Sequence, residues 1–123
     1  MDRKKFKKEL ESMDNTYCSS TATKEKEIIK KSIDSSPVIN GIRGGYNLII
    51  ASQELSELNC EITDALRGKL DKIGLLEEMA DAYIVLEYLK EIFNITEMDI
   101  YKARQIKINR LEKHMNKNNG FME

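Results

Sequence analysis

The chain has no tryptophan, one proline, one histidine and two cysteines in 123 residues. Cys18 and Cys60 are too few and too far apart in sequence for a disulfide framework or a thiolate zinc site, which points to a reducing compartment. His114 is the only histidine, lies near the chain end and has no cysteine or histidine partner close to it in sequence, so no catalytic or metal role is expected of it. No apolar run approaches the ~18–20 residues that span a bilayer, and no membrane partner is expected. The opening "MDRKKFKKELESM" mixes acids with bases and lacks the apolar segment of a leader, so the expected location is cytoplasmic.

A large net charge is missing too, with twenty basic residues against twenty-one acidic ones and a net charge of −1. The balance hides an uneven distribution. Residues 1–44 carry ten basic and seven acidic side chains, residues 45–100 four and twelve, and residues 101–123 six and two. An acidic middle argues against a nucleic-acid polymer as partner and favours cation binding, although a solvated acidic face is the commoner meaning of such a bias.

What is present suits helices. Hydrophobic residues make up 41% and charged residues 33% of a chain sized for one domain, and the expected class is all-α. A short helix is expected over 2–13, with Phe6, Leu10 and Met13 on one stripe, followed by the polar break "DNTYCSSTAT". A second is expected over 23–33, with Ile28, Ile29 and Ile33 facing one way, and then an irregular connection over 34–46 that holds the proline and three of the six glycines. Three core helices should follow: 47 to about 67, carrying the stripe Leu48, Ala51, Leu55, Leu58, Ile62 and Leu66; Gly74 to Phe93; and one that starts at the capping sequence "TEMD" and runs to about Met115. The polar, glycine-containing link 67–74 makes the first two antiparallel. The organisation is therefore an N-terminal extension (1–44), a helical core (45–116) and a tail (117–123).

The second core helix, "LLEEMADAYIVLEYL", sets the chemical question, because Asp81 sits in its most apolar part. A buried carboxylate must be paired, protonated or metal-bound. On a wheel of ~100° per residue with Glu78 at 0°, Asp81 falls at about 300° and Val85 at about 340°, whereas Glu77, Glu87 and Glu91 group at about 180–260°, the expected solvated side. The same construction on 47–66 sets Glu54, Glu57 and Glu61 beside the apolar stripe. Two antiparallel helices would then bring Glu54, Glu57, Glu78 and Asp81 to one seam. Four such carboxylates raise one another's pKa unless a divalent cation holds them ionised, and an all-oxygen set favours Mg²⁺, with Mn²⁺ as substitute, over zinc. Mg²⁺ commonly completes its shell with substrate phosphates. Lys107 and Arg110, spaced i and i+3 on the third core helix, would suit phosphate oxygens, or they snorkel at the surface. Arg67 and Lys69 in the inter-helix link could reach phosphates or simply form a charged turn. Tyr83, Tyr88 and Phe93 could stack on a base, or serve a core or an interface. Cys60 reads as a small, partly buried side chain rather than a nucleophile.

The spacing of "QELSE" (53–57) and, after twenty residues, "EMAD" (78–81) resembles the E-E-x-x-E…E-x-x-D signature of the all-α, MazG-like nucleoside triphosphate pyrophosphohydrolases, and the likeness extends over about residues 45–115. It implies a MazG-like helical bundle whose four-helix core is completed by oligomerisation, as a homodimer or homotetramer. It further implies metal ligation by Glu54, Glu57, Glu78 and Asp81, and hydrolysis of a nucleoside triphosphate to the monophosphate and pyrophosphate, with Glu57 or Glu54 helping to deprotonate the attacking water. The family's downstream K-x-x-R is matched by Lys107 and Arg110, and Asn47, on the face of Glu54, becomes a candidate for touching the nucleotide. The first position departs: it is Gln53, at about 260° on its wheel and away from the seam. Two other readings remain, a narrow dUTP or dCTP pyrophosphatase and a catalytically silent helical binding module.

Overall fold

The computed structural model describes residues 2–13 and 19–118, with the side chains of 19–22 and of 118 outside that description. Among the described residues the structure is all-helical, with α1 (Arg3–Ser12), α2 (Ser19–Asp34), α3 (Gly45–Leu66), α4 (Lys72–Phe93) and α5 (Glu97–Asn118). The expected break over 14–23 is shorter than its composition suggested, since α2 begins at Ser19; Cys18 and the rest of 14–18 lie outside the described residues. None of the helices is long and apolar enough to cross a membrane. The chain divides into two compact units, Met1–Ile92 and Phe93–Glu123.

Local chemistry accounts for the helix ends. Asp2 caps α1 by accepting from the backbone N–H groups of Lys4 and Lys5 at 3.0 and 3.1 Å. After α2, Ser36 Oγ donates to the Ser32 carbonyl at 2.7 Å, and the chain then reverses through a two-residue turn at Asn40–Gly41, both at positive φ, closed by Ile39 and Ile42. Gly44 begins α3 at φ 79°, where a Cβ would come within 2.7 Å of Ile92 Cδ1 and 3.1 Å of Ile33 Cγ2, so the closeness of α2, α3 and α4 requires glycine there. Asp71 caps α4 through Gly74 N–H at 3.0 Å, which starts that helix two residues before the expected Gly74. Asn94 at φ 57° ends it. The reciprocal box expected at "TEMD" is present: Asp99 N–H donates to Thr96 Oγ1 at 3.0 Å and Thr96 N–H donates to Asp99 Oδ2 at 2.9 Å.

In the first unit α3 and α4 run antiparallel. Gly44 approaches Ile92 at one end, while at the other Glu61 shares Arg3 with Glu77. Among the described residues the buried apolar side chains are Ile33 of α2, Ala51 of α3 and Val85 of α4. The expected α3 stripe is therefore only partly covered: Leu48 and Leu58 are half-buried, and Leu55, Ile62 and Leu66 are exposed. Ile28 likewise points away from Ile33, because the ~100° step between Ile28 and Ile29 lets only one of them share the inner face. Phe6 of α1 is half-buried, but Leu10 and the following Met13, just past the helix end, are exposed. Helix α4 departs furthest from the buried helix its composition suggested. It exposes Leu76, Met79, Tyr83 and Leu86, which share one side, and buries Glu77 and Glu78 on the other.

Candidate metal centre

Residues 54, 57 and 61 of α3 follow i, i+3, i+7 spacing, and residues 78 and 81 of α4 follow i, i+3, so each helix presents its acids along one line. The antiparallel register brings those lines together. Glu54, Glu78 and Asp81 each offer a carboxylate oxygen, and these three atoms lie within 4.8 Å of one another. Opposite ligands of a Mg²⁺ octahedron stand ~4.2 Å apart, so the oxygens are close to the spacing such an ion needs. Glu54 Oε2, Glu78 Oε2 and Asp81 Oδ2 are all shielded from solvent and have no hydrogen-bond partner. Glu78 is 2% exposed, which makes an unpartnered anionic oxygen there costly. Three carboxylates that each keep one shielded, unpartnered oxygen fit a hard divalent cation.

The electrostatics agree with the crowding. Burial raises the Glu54 carboxyl to about 7, helped by a hydrogen bond and charge repulsion from Asp81 and by the charges of Glu57 and Glu78. Glu78 is raised to about 7 as well, first by burial and then by the charge and hydrogen bond of Glu57, with Asp81 adding repulsion and Arg3 opposing it. Glu57 thus lies beside Glu78, but its side chain is exposed, at the rim of the group rather than within it. Gln53, where the signature has an acid, is exposed.

Two residues of this cluster escaped the sequence reading. Glu77 was expected on the solvated side of α4, yet it is 4% exposed. Its position at about 260° is only ~40° from Asp81, so the wheel held the signal and the boundary of the buried sector was drawn too narrowly. The second is Arg3, whose guanidinium enters from α1. Nη2 donates to Glu61 Oε1 at 2.8 Å and to Glu78 Oε1 at 3.3 Å, Nε lies 3.3 Å from Glu77 Oε1, and Nη1 lies 3.9 Å from Asp71. Gly74 leaves the space, since a Cβ there would overlap Arg3 Nη1. Nothing in the local pattern of "DRKKFKK" distinguishes Arg3 from its exposed lysine neighbours.

The remaining expected residues are more scattered. Asn47 is buried, its Nδ2 donating to Ser32 Oγ at 3.2 Å, and Ser32 Oγ in turn lies 3.1 Å from the Tyr88 hydroxyl. The amide's oxygen, Oδ1, is buried without a partner. Lys107 and Arg110 are exposed on α5 in the second unit. Arg67 and Lys69 are exposed in the α3–α4 link, and Tyr83 and Phe93 are exposed on α4. Cys60, expected to be partly covered, is exposed. No family model, curated protein or solved structure matches the chain.

Proposed function

We propose that this chain is a Mg²⁺-dependent nucleoside triphosphate pyrophosphohydrolase of the MazG-like kind, working as a homodimer or homotetramer. The observation that carries the reading is the meeting of Glu54, Glu78 and Asp81 with an unpartnered, shielded oxygen on each. A metal bound there would neutralise the phosphate chain and acidify water. Glu54, Glu78 and Asp81 are the residues that would hold it, with Glu57 completing the set from the rim.

Exposure separates the roles. Glu78 is enclosed and has one oxygen already engaged by Arg3, so it is suited to ligation alone. Glu57 faces water and is the better placed to accept a proton from the attacking molecule, with Glu54, its carboxyl raised to about 7, as the second candidate. The reaction consumes one water, breaks one phosphoanhydride bond and delivers the water's proton to the carboxylate, leaving a nucleoside monophosphate and pyrophosphate. In this reading Asn47 Oδ1, buried without a partner, offers an acceptor to the nucleoside. The exposed row Leu76, Met79, Tyr83 and Leu86 supports oligomerisation, since the described part of its unit leaves this apolar helix face uncovered.

One observation favours a second reading, a catalytically silent helical module: Arg3 already supplies a cation to the acidic cluster. Pyrophosphate release measured across ribo- and deoxynucleoside triphosphates, with and without Mg²⁺, separates the two. Turnover confined to dUTP or dCTP would narrow the substrate. No turnover, together with no Mg²⁺ heat in calorimetry, would leave the silent module.

A further inference from the structure

The acids at the α3–α4 seam fall into two groups that share one residue. Arg3 reaches Glu61, Glu77 and Asp71 on one side, and Glu54 and Asp81 make up the other. Glu78 belongs to both: Oε1 accepts from Arg3 Nη2 at 3.3 Å, and Oε2 is the shielded oxygen without a partner. Glu78 is thus shared between the guanidinium of Arg3 and the group it forms with Glu54 and Asp81.

We infer that Arg3 is a built-in cation that fills the second half of this acidic cluster and positions Glu78, so that the chain takes one divalent ion at Glu54, Glu78 and Asp81 and not two. This rests on the metal-centre reading above and adds to it a number and a positioning residue. Three features make the Arg3 position a built slot rather than a surface ion pair. Gly74 has no side chain where Nη1 passes, and Glu77 and Glu78 are enclosed, 4% and 2% exposed. The forked guanidinium also contacts four carboxylates from α3, α4 and the residue that caps α4. Helix α1 itself buries no residue, and Arg3 ties it to α3 and α4. Arg3 also lies outside residues 45–115, in the N-terminal extension, which gives that extension a task at the site.

The test counts Mn²⁺ ions on the full-length chain by electron paramagnetic resonance and calorimetry, with circular dichroism as the check on folding. The native chain should bind one Mn²⁺. Arg3→Met should bind two, the second at Glu61, Glu77 and Glu78, with the signal broadened by spin coupling through the shared carboxylate, whereas Arg3→Lys should keep the count at one. Two ions on the native chain, or one on a folded Arg3→Met variant, overturns the inference while leaving the metal centre in place. No Mn²⁺ on the native chain overturns both. If Arg3→Met does not fold, Glu61→Gln decides, because Glu61 belongs to the Arg3 half. Retention of one ion with affinity near the native value supports the division, and a loss of about tenfold or more, the size expected of a ligand or its direct partner, refutes it.

Discussion

The two sides of α4 invert the ordinary rule of burial. On the side facing α3, Glu77 and Glu78 are enclosed; on the far side Leu76, Met79, Tyr83 and Leu86 lie open, Tyr83 at 69% exposure. Apolar surface leaves water only where another element covers it, and a carboxylate can stay inside only where a cation or proton answers its charge. The acidic side has one such answer in Arg3 and, in our proposal, another in a metal ion. The apolar side has none within the described part of its unit, which is the physical ground for proposing further copies of the chain.

The largest effect that could break this comparison is on the acidic side. Asp81→Ala should lower pyrophosphate release by about a hundredfold or more, the scale on which removal of a key charge-stabilising group acts, while the metal-free variant melts at or above the native temperature because crowding is relieved. Native-like turnover would remove Asp81 from the site. On the apolar side, Leu86→Glu should shift the mass measured by light scattering toward a single chain while leaving Mn²⁺ binding detectable. An unchanged mass would take the α4 row out of any interface.

The pH dependence tests the acidic side without mutation. Glu54 and Glu78 hold their protons up to about 7 in the folded chain, against 4.5 ordinarily, so the folded state binds more protons than the unfolded state between those values. Stability from these groups is therefore complete below about 4.5 and is lost as the pH rises through about 7. The metal-free melting temperature should fall over that window, and saturating Mn²⁺ should flatten or reverse the fall, as followed by calorimetry. A metal-free curve that rises across the same range would refute the raised carboxyls. The smallest effect calibrates the packing: Val85→Ala, inside the seam, should cost about 2 kcal/mol in denaturant unfolding, whereas Leu66→Ala, on an open helix end, should cost less than about 0.5 kcal/mol.

Much of this was legible from residue order. The i, i+3 spacing of Glu54 with Glu57 and of Glu78 with Asp81 is enough to bring carboxylates together once a short link makes the helices antiparallel. "TEMD" located the start of α5 because its capping chemistry is local. Arg3 was not legible, since its partners lie 58 and 75 positions away and no local pattern marks it among the lysines of α1. Glu77 was misplaced because a wheel shows direction but not how wide a sector the neighbouring helix covers. The open ends of the α3 stripe have the same cause: periodicity identifies an apolar face but does not say what lies against it.

By itself, then, the amino-acid order determined an all-helical chain with two lines of acids, because helical periodicity and end-capping depend on residues a few positions apart. Only the tertiary structure decided which acids lose contact with water, which one Arg3 shares with the triad, and which apolar face is left open. Those outcomes depend on how far one helix overlaps another, a distance between segments that no stretch of sequence contains.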